Sequence, residues 1–175
     1  MKKAGIVLTI MMGMILMAFL GANVYTKPFS PKDKVVYQKD GKAIEINYCQ
    51  PYKRGRIIFG DLVPYGQIWR TGANEATSIS FNQDVEIKGK KLPKGNYTLY
   101  TIPGETFWTI VINKQTNQWG TEYNHSMDAL RVEIEAEKMK KIVEMFTIDI
   151  QTTDLGANIN LEWDQVKIVV PVEFI

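Results

Sequence analysis

The sequence is poor in residues that build covalent and metal scaffolds. It holds one cysteine, Cys49, and one histidine, His125. A single cysteine excludes an intrachain disulfide, and the two residues together are too few for a zinc site of Cys and His ligands. A charge excess is also missing: 21 Lys and Arg stand against 19 Asp and Glu, for a formal net charge of +2. Nucleic-acid binders carry a larger basic surplus, so nucleic acid is set aside as a partner. No internal repeat or low-complexity tract occurs. No G-x-S-x-G elbow, H-E-x-x-H pair or Walker sequence is present, and nothing in the pattern asks for a metal or a cofactor.

What is present is apolar. Of 175 residues, 45% are hydrophobic and 23% charged, enough to bury the core of one ordinary domain with a short appendage. The appendage is the start. Residues 4–22 read AGIVLTIMMGMILMAFLGA, with no charge and only Thr9 polar. As a helix this run spans about 28 Å, close to a bilayer core. It is longer than the usual apolar region of a signal peptide, which favours a retained transmembrane signal anchor; cleavage after Ala22 is the alternative. Lys2 and Lys3 favour a cytoplasmic N-terminus and an exported remainder. The expected location is therefore the cell membrane, single-pass, with the C-terminal domain on the periplasmic side, or the periplasm if the segment is cut. Without Lys2 and Lys3 the exported part has 19 basic and 19 acidic residues, and its charge gives no reason to bind polyanions or anionic lipid.

The divisions expected are residues 1–26 as anchor, 27–33 (KPFSPKD) as spacer and 34–175 as domain. The domain's dominant period is two. Ile44, Ile46 and Tyr48 alternate with polar residues, and so do Ile79 and Phe81, Tyr97 and Leu99, Leu130, Val132 and Ile134, Phe146, Ile148 and Ile150, and Ile159, Leu161 and Trp163. Such alternation marks half-buried antiparallel strands. Residues 107–112 (FWTIVI) are apolar on both faces and suit a central strand. Eight or nine short strands predict an all-β, antiparallel β-sandwich of the jelly-roll kind. Only residues 135–145 (EAEKMKKIVEM) have helix-favouring composition, read as one short helix or a charged crossover.

Residues 49–77 fit neither period. They carry Gly55, Gly60, Gly66 and Gly72, two prolines, and the aromatics Tyr52, Phe59, Tyr65 and Trp69. A loop this long is uncommon and often functional. Its apolar residues require it to fold back as a cap, with a short helical turn within residues 59–69. Its polar members are the candidate ligand-binding residues. Arg54, Arg56 and Arg70 suit a carboxylate or phosphate, Asn74 and Glu75 a sugar or an ion, and Tyr52 and Trp69 ring stacking. The structural alternative pairs Arg70 with Glu75 and places the aromatics in the core.

The strings GRIIFGDLVPYGQIWRTGANEAT, KLPKGNYTLYTIPG, FWTIVINK and QWG closely resemble a bacterial family, Domain of Unknown Function 2911, over residues 30–175. The resemblance implies a predominantly β domain of the cell envelope, in mostly exported proteins of Bacteroidota. It implies no activity.

Other candidates are thinner. His125 could serve a hydrolase as general base, and pairs among Asp61, Glu75 and Glu105 could serve a glycosidase. Cys49 reads as a small buried residue at a strand end. Trp108 and Trp163 read as core, and Trp119 as the exposed member of any sugar platform. The leading expectation is a non-enzymatic, membrane-tethered module that binds a small ligand, a glycan or an envelope protein. A carboxylate- or His-dependent hydrolase and a purely structural envelope protein are the alternatives.

Overall fold

The computed structural model describes residues 30–175. The apolar segment at residues 4–22, its retention or cleavage, and the first three residues of the spacer lie outside them. Nine strands run in chain order: β1 (Lys32–Lys39), β2 (Lys42–Cys49), β3 (Thr77–Phe81), β4 (Val85–Ile87), β5 (Lys90–Leu92), β6 (Gly95–Ile102), β7 (Phe107–Asn113), β8 (Asp128–Thr152) and β9 (Gly156–Phe174). A 3₁₀ turn, His125–Met127, precedes β8. Every pairing is antiparallel, in the order β1-β2-β3-β6-β7-β8-β9-β4-β5. Among the described residues no helix is long and apolar enough to cross a membrane.

The alternation becomes burial. Ile44, Ile46 and Tyr48 of β2 are buried, as are Ile79 and Phe81 of β3 and Leu130, Val132 and Ile134 of β8. Each such side chain contributes on the order of 1.5–3 kcal/mol when removed from water. The FWTIVI segment is β7, paired with β6 on one side and β8 on the other. Val111 is buried on the opposite face from Ile110 and Ile112. That face is covered by the segment after β7, where the Tyr100 hydroxyl donates to the Glu122 carbonyl and its ring meets Tyr123 at 5.0 Å.

The strand β8 corrects one expectation. Residues 135–145 form neither helix nor crossover; they lie within one 25-residue strand. Residues up to Glu135 pair with β7, and from Ala136 onward the partner is β9. Helix-favouring Glu, Lys and Met yield to a waiting edge, because propensity is weaker than pairing with a buried neighbour. Between the pairs Lys138–Val166 and Thr147–Glu162, β8 advances nine residues while β9 advances four. The five extra residues bulge outward. The sheet also doubles back on itself. Tyr37 of β1 stacks on Phe174 of β9 at 5.8 Å, and Tyr48 of β2 meets Phe146 of β8 edge-on at 5.7 Å.

The cap, residues 50–76, contains no strand or helix, so the helical turn expected within residues 59–69 does not form. Its rings hold it instead. Trp69 is buried and meets Phe146 at 5.1 Å, Trp163 at 5.8 Å, Trp108 at 6.1 Å and Phe59 at 6.3 Å. Backbone bonds pin it at three places. Trp69 and Thr101 exchange two bonds of 2.7 and 2.9 Å, Lys53 N–H donates to the Glu144 carbonyl at 2.7 Å, and Gly66 N–H donates to the Pro103 carbonyl at 2.8 Å.

Candidate functional site

The string WRTGANE forms a tight, over-determined turn. Thr71 is fully buried at φ 55°, and Asn74 has φ 59°. A β-branched residue in the left-handed region costs roughly 1–3 kcal/mol and persists only when its surroundings force it. They do so here. The Thr77 hydroxyl donates to the Thr71 carbonyl at 2.7 Å, and the Trp69 indole N–H donates to the Gly72 carbonyl at 3.1 Å. Glycine is required at position 72, where a Cβ would stand 2.9 Å from the Cys49 carbonyl oxygen.

This turn forms one wall of a cavity of about 260 Å³ lined by Tyr52, Arg54, Arg56, Trp69, Arg70 and Asn74, together with Ser30 and Trp163. Six of the seven candidate residues thus share one space, and no carboxylate lines it. They do not play equal parts. Trp69 is a core hub. Arg54 lies over the Tyr52 ring, 5.6 Å from its centroid. The Arg56 guanidinium donates to the carbonyls of Lys53, at 3.0 Å, and of Tyr52. Both arginines are exposed.

Arg70 differs. Its Nε is sealed from solvent with no hydrogen-bond partner among the described residues. Burial pushes its pKa down, although an arginine stays charged under ordinary conditions. Its alkyl chain lies flat on Gly120, where a Cβ would collide with Arg70 Cδ and the Asn74 carbonyl. The Arg70–Glu75 pair of the structural alternative does not form. Glu75 Oε1 instead accepts from Lys32 Nζ at 2.9 Å, and that bond holds its carboxyl below the usual range. Cys49 is buried and donates to Glu75 Oε2 at 3.6 Å; burial pushes the thiol up.

Glu75 lies apart from the other six. Its neighbour Asn74 lines the arginine cavity, whereas Glu75 lines a wider groove of about 590 Å³ beside β1, β2, β3 and β6. No local pattern marks the groove's other lining residues, such as Asn47, Ser78, Thr98 and Gln118. They come from four separated segments, and only the strand register unites them. A purely local cue existed for Gly120, the glycine after Trp119. The remaining candidates stay outside both spaces: His125 is exposed on the 3₁₀ turn, and Asp61 and Glu105 are exposed. Trp108 and Trp163 are core, and Trp119 is 53% exposed, as the sequence suggested.

No curated protein and no solved structure matches the chain. A family model does, over residues 30–172, which takes in all the strands except the last residues of β9 and the whole of the cap. The chain belongs to the family described as Protein of unknown function (DUF2911).

Proposed function

We propose that the chain is a non-enzymatic envelope binding module, tethered through residues 4–22 and exported beyond them, whose cap cavity takes a small oxyanion such as a carboxylate or phosphate. The observation that carries this reading is Arg70, which lines a cavity with two other arginines and no carboxylate, and whose Nε has no acceptor among the described residues. A half-buried cation with no carboxylate beside it is partly desolvated at a cost, and an anionic ligand offsets that cost through charge-assisted bonds. The volume lies just below the usual range for drug-sized ligands and suits a small anion. Ser30 lines the same cavity, so the site lies at the end of the domain where the chain arrives from its apolar segment. The facing of β1 and β2 against β8 and β9 supports reading the sheet as a two-layer sandwich capped at this end.

Thermal melts with phosphate, sulfate, acetate and succinate test the reading, with sodium chloride matched for ionic strength. One of these anions is expected to raise Tm saturably, by about 3–6 °C at ten times Kd, and Arg70→Ala to abolish the rise. An equal rise in Arg70→Ala, or no rise with any of the four, defeats the proposal.

A further inference from the structure

The wider groove has a different chemistry from the arginine cavity. Its floor is a cross-strand row: Lys34 of β1 pairs with Asn47 of β2, Asn47 with Ser78 of β3, and Ser78 with Thr98 of β6. All four line the groove. With strands ~4.8 Å apart, the row extends roughly 14 Å. Asn117 and Gln118, from the segment after β7, form a wall. The Gln118 amide nitrogen donates to Thr98 Oγ1 at 3.2 Å and to the Tyr100 hydroxyl at 2.8 Å. Its carbonyl oxygen is left sealed from solvent and unpartnered among the described residues.

The charges in this groove are already matched. Lys32 pairs with Glu75 and Lys34 with Glu45, both at 2.9 Å. Asp33 accepts from the Tyr48 hydroxyl at 3.0 Å and from the Lys34 N–H at 2.8 Å. A charged ligand would have to break these pairs. What remains is neutral: the Asn117 amide, the Ser78 hydroxyl, and the exposed Asn47 amide, whose nitrogen donates to Glu45 Oε1 at 3.1 Å and to Ser78 Oγ at 3.4 Å. Beside them stands Trp119, exposed, following Gln118 in the chain and bridged through its backbone to Glu75. Amides suit the paired donor and acceptor character of adjacent hydroxyls, and an exposed indole suits the C–H face of a sugar ring.

We infer that this groove is a second binding site, for a neutral oligosaccharide of about three rings lying along the Lys34–Asn47–Ser78–Thr98 row with one ring against Trp119. The site is independent of the anion cavity and stands whether or not that cavity binds an anion.

The test applies the full-length chain to an array of defined neutral and acidic oligosaccharides, then titrates the strongest neutral one by tryptophan fluorescence. Dense display on the array compensates for weak single-site affinity. Neutral glycans are expected to be retained, with Asn47→Ala and Trp119→Ala each weakening binding about tenfold and Arg70→Ala leaving it unchanged. Both positions are exposed, and melting curves of the two variants are to be compared with wild type to check that they fold. A silent array, retention of acidic glycans only, or neutral binding that survives both Asn47→Ala and Trp119→Ala overturns the inference. Loss in Arg70→Ala alone moves the sugar to the other cavity and overturns it equally.

Discussion

Two partly buried arginines sit in different surroundings. Arg131, early in β8, closes a network: its Nε donates to Asp128 Oδ2 at 2.7 Å and its Nη2 to the Tyr123 hydroxyl at 2.6 Å. Tyr123 donates in turn to Asp128 Oδ2 and Asn113 to Asp128 Oδ1, both at 2.7 Å. Guanidinium, phenol, amide and carboxylate there are bonded to one another. Arg70, in the cap, has a buried Nε with none among the described residues. Buried polar groups in folded proteins are nearly always satisfied, so the exception asks for an explanation. Arg131 is explained by the fold. On the function proposed above, Arg70 is explained by an anion that the fold receives.

That contrast requires the cap to be as firmly built as the ladder, and the largest expected effect tests it. Trp69→Ala removes the ring shared by Phe59, Trp108, Phe146 and Trp163 and should destabilise the domain by about 3–5 kcal/mol in a denaturant titration. A loss under about 1 kcal/mol would mean a loosely attached cap, and the burial of Arg70 would lose its meaning.

Next in size is Tyr48, a satisfied buried group that behaves as Arg131 does. Its hydroxyl accepts from the Ile148 N–H at 2.9 Å and from the Gln50 amide at 3.0 Å. Burial raises its pKa from 10.0 to about 12. The folded state therefore holds this proton more tightly than the unfolded state. The resulting stabilisation is complete below pH 10.0 and is lost as pH rises toward about 12. Two pKa units correspond to about 2–3 kcal/mol. The stability gap between wild type and Tyr48→Phe should narrow across that window in urea melts; a constant gap would show that the phenol titrates normally in the folded protein.

The fold was legible wherever pairing left the alternation intact, as in Ile44–Ile46–Tyr48 or Leu130–Val132–Ile134. It was illegible in residues 135–145, because the five extra residues of β8 break the period that would have betrayed a strand. The cap's arginines and aromatics were legible as a group, since so many rings in an unpatterned loop must bury something. The fate of Glu75 was not. Five residues from Arg70, it looked like a partner, but the left-handed turn at Asn74 and the backbone bridge to Trp119 direct it to Lys32. The row from Lys34 to Thr98 had no local signature, because register between distant strands is a property of the whole fold.

A third prediction concerns how Arg70 is held. Gly120→Ala places a methyl against Arg70 Cδ and the Asn74 carbonyl. Overpacking of this kind costs about 1–3 kcal/mol. It should also reduce the anion-dependent rise in Tm, since the guanidinium is displaced. If stability falls while the rise is unaltered, Arg70 is not the group that meets the anion.

The smallest stability effect decides between the two arginines directly. Arg131→Ala leaves Asp128, whose side chain is 11% exposed, without its cation, and should cost about 1–2 kcal/mol. Arg70→Ala removes an uncompensated, partly desolvated charge and with it some alkyl packing on Gly120. These terms oppose each other, so the net change should lie within about 0.5 kcal/mol of zero. The two variants should therefore separate in opposite senses: Arg131→Ala less stable but still responsive to the anion, Arg70→Ala nearly as stable but unresponsive. Should Arg70→Ala prove the more damaging to stability, the guanidinium belongs to the scaffold, and the orphaned Nε is strain that the fold tolerates rather than a place kept for a ligand.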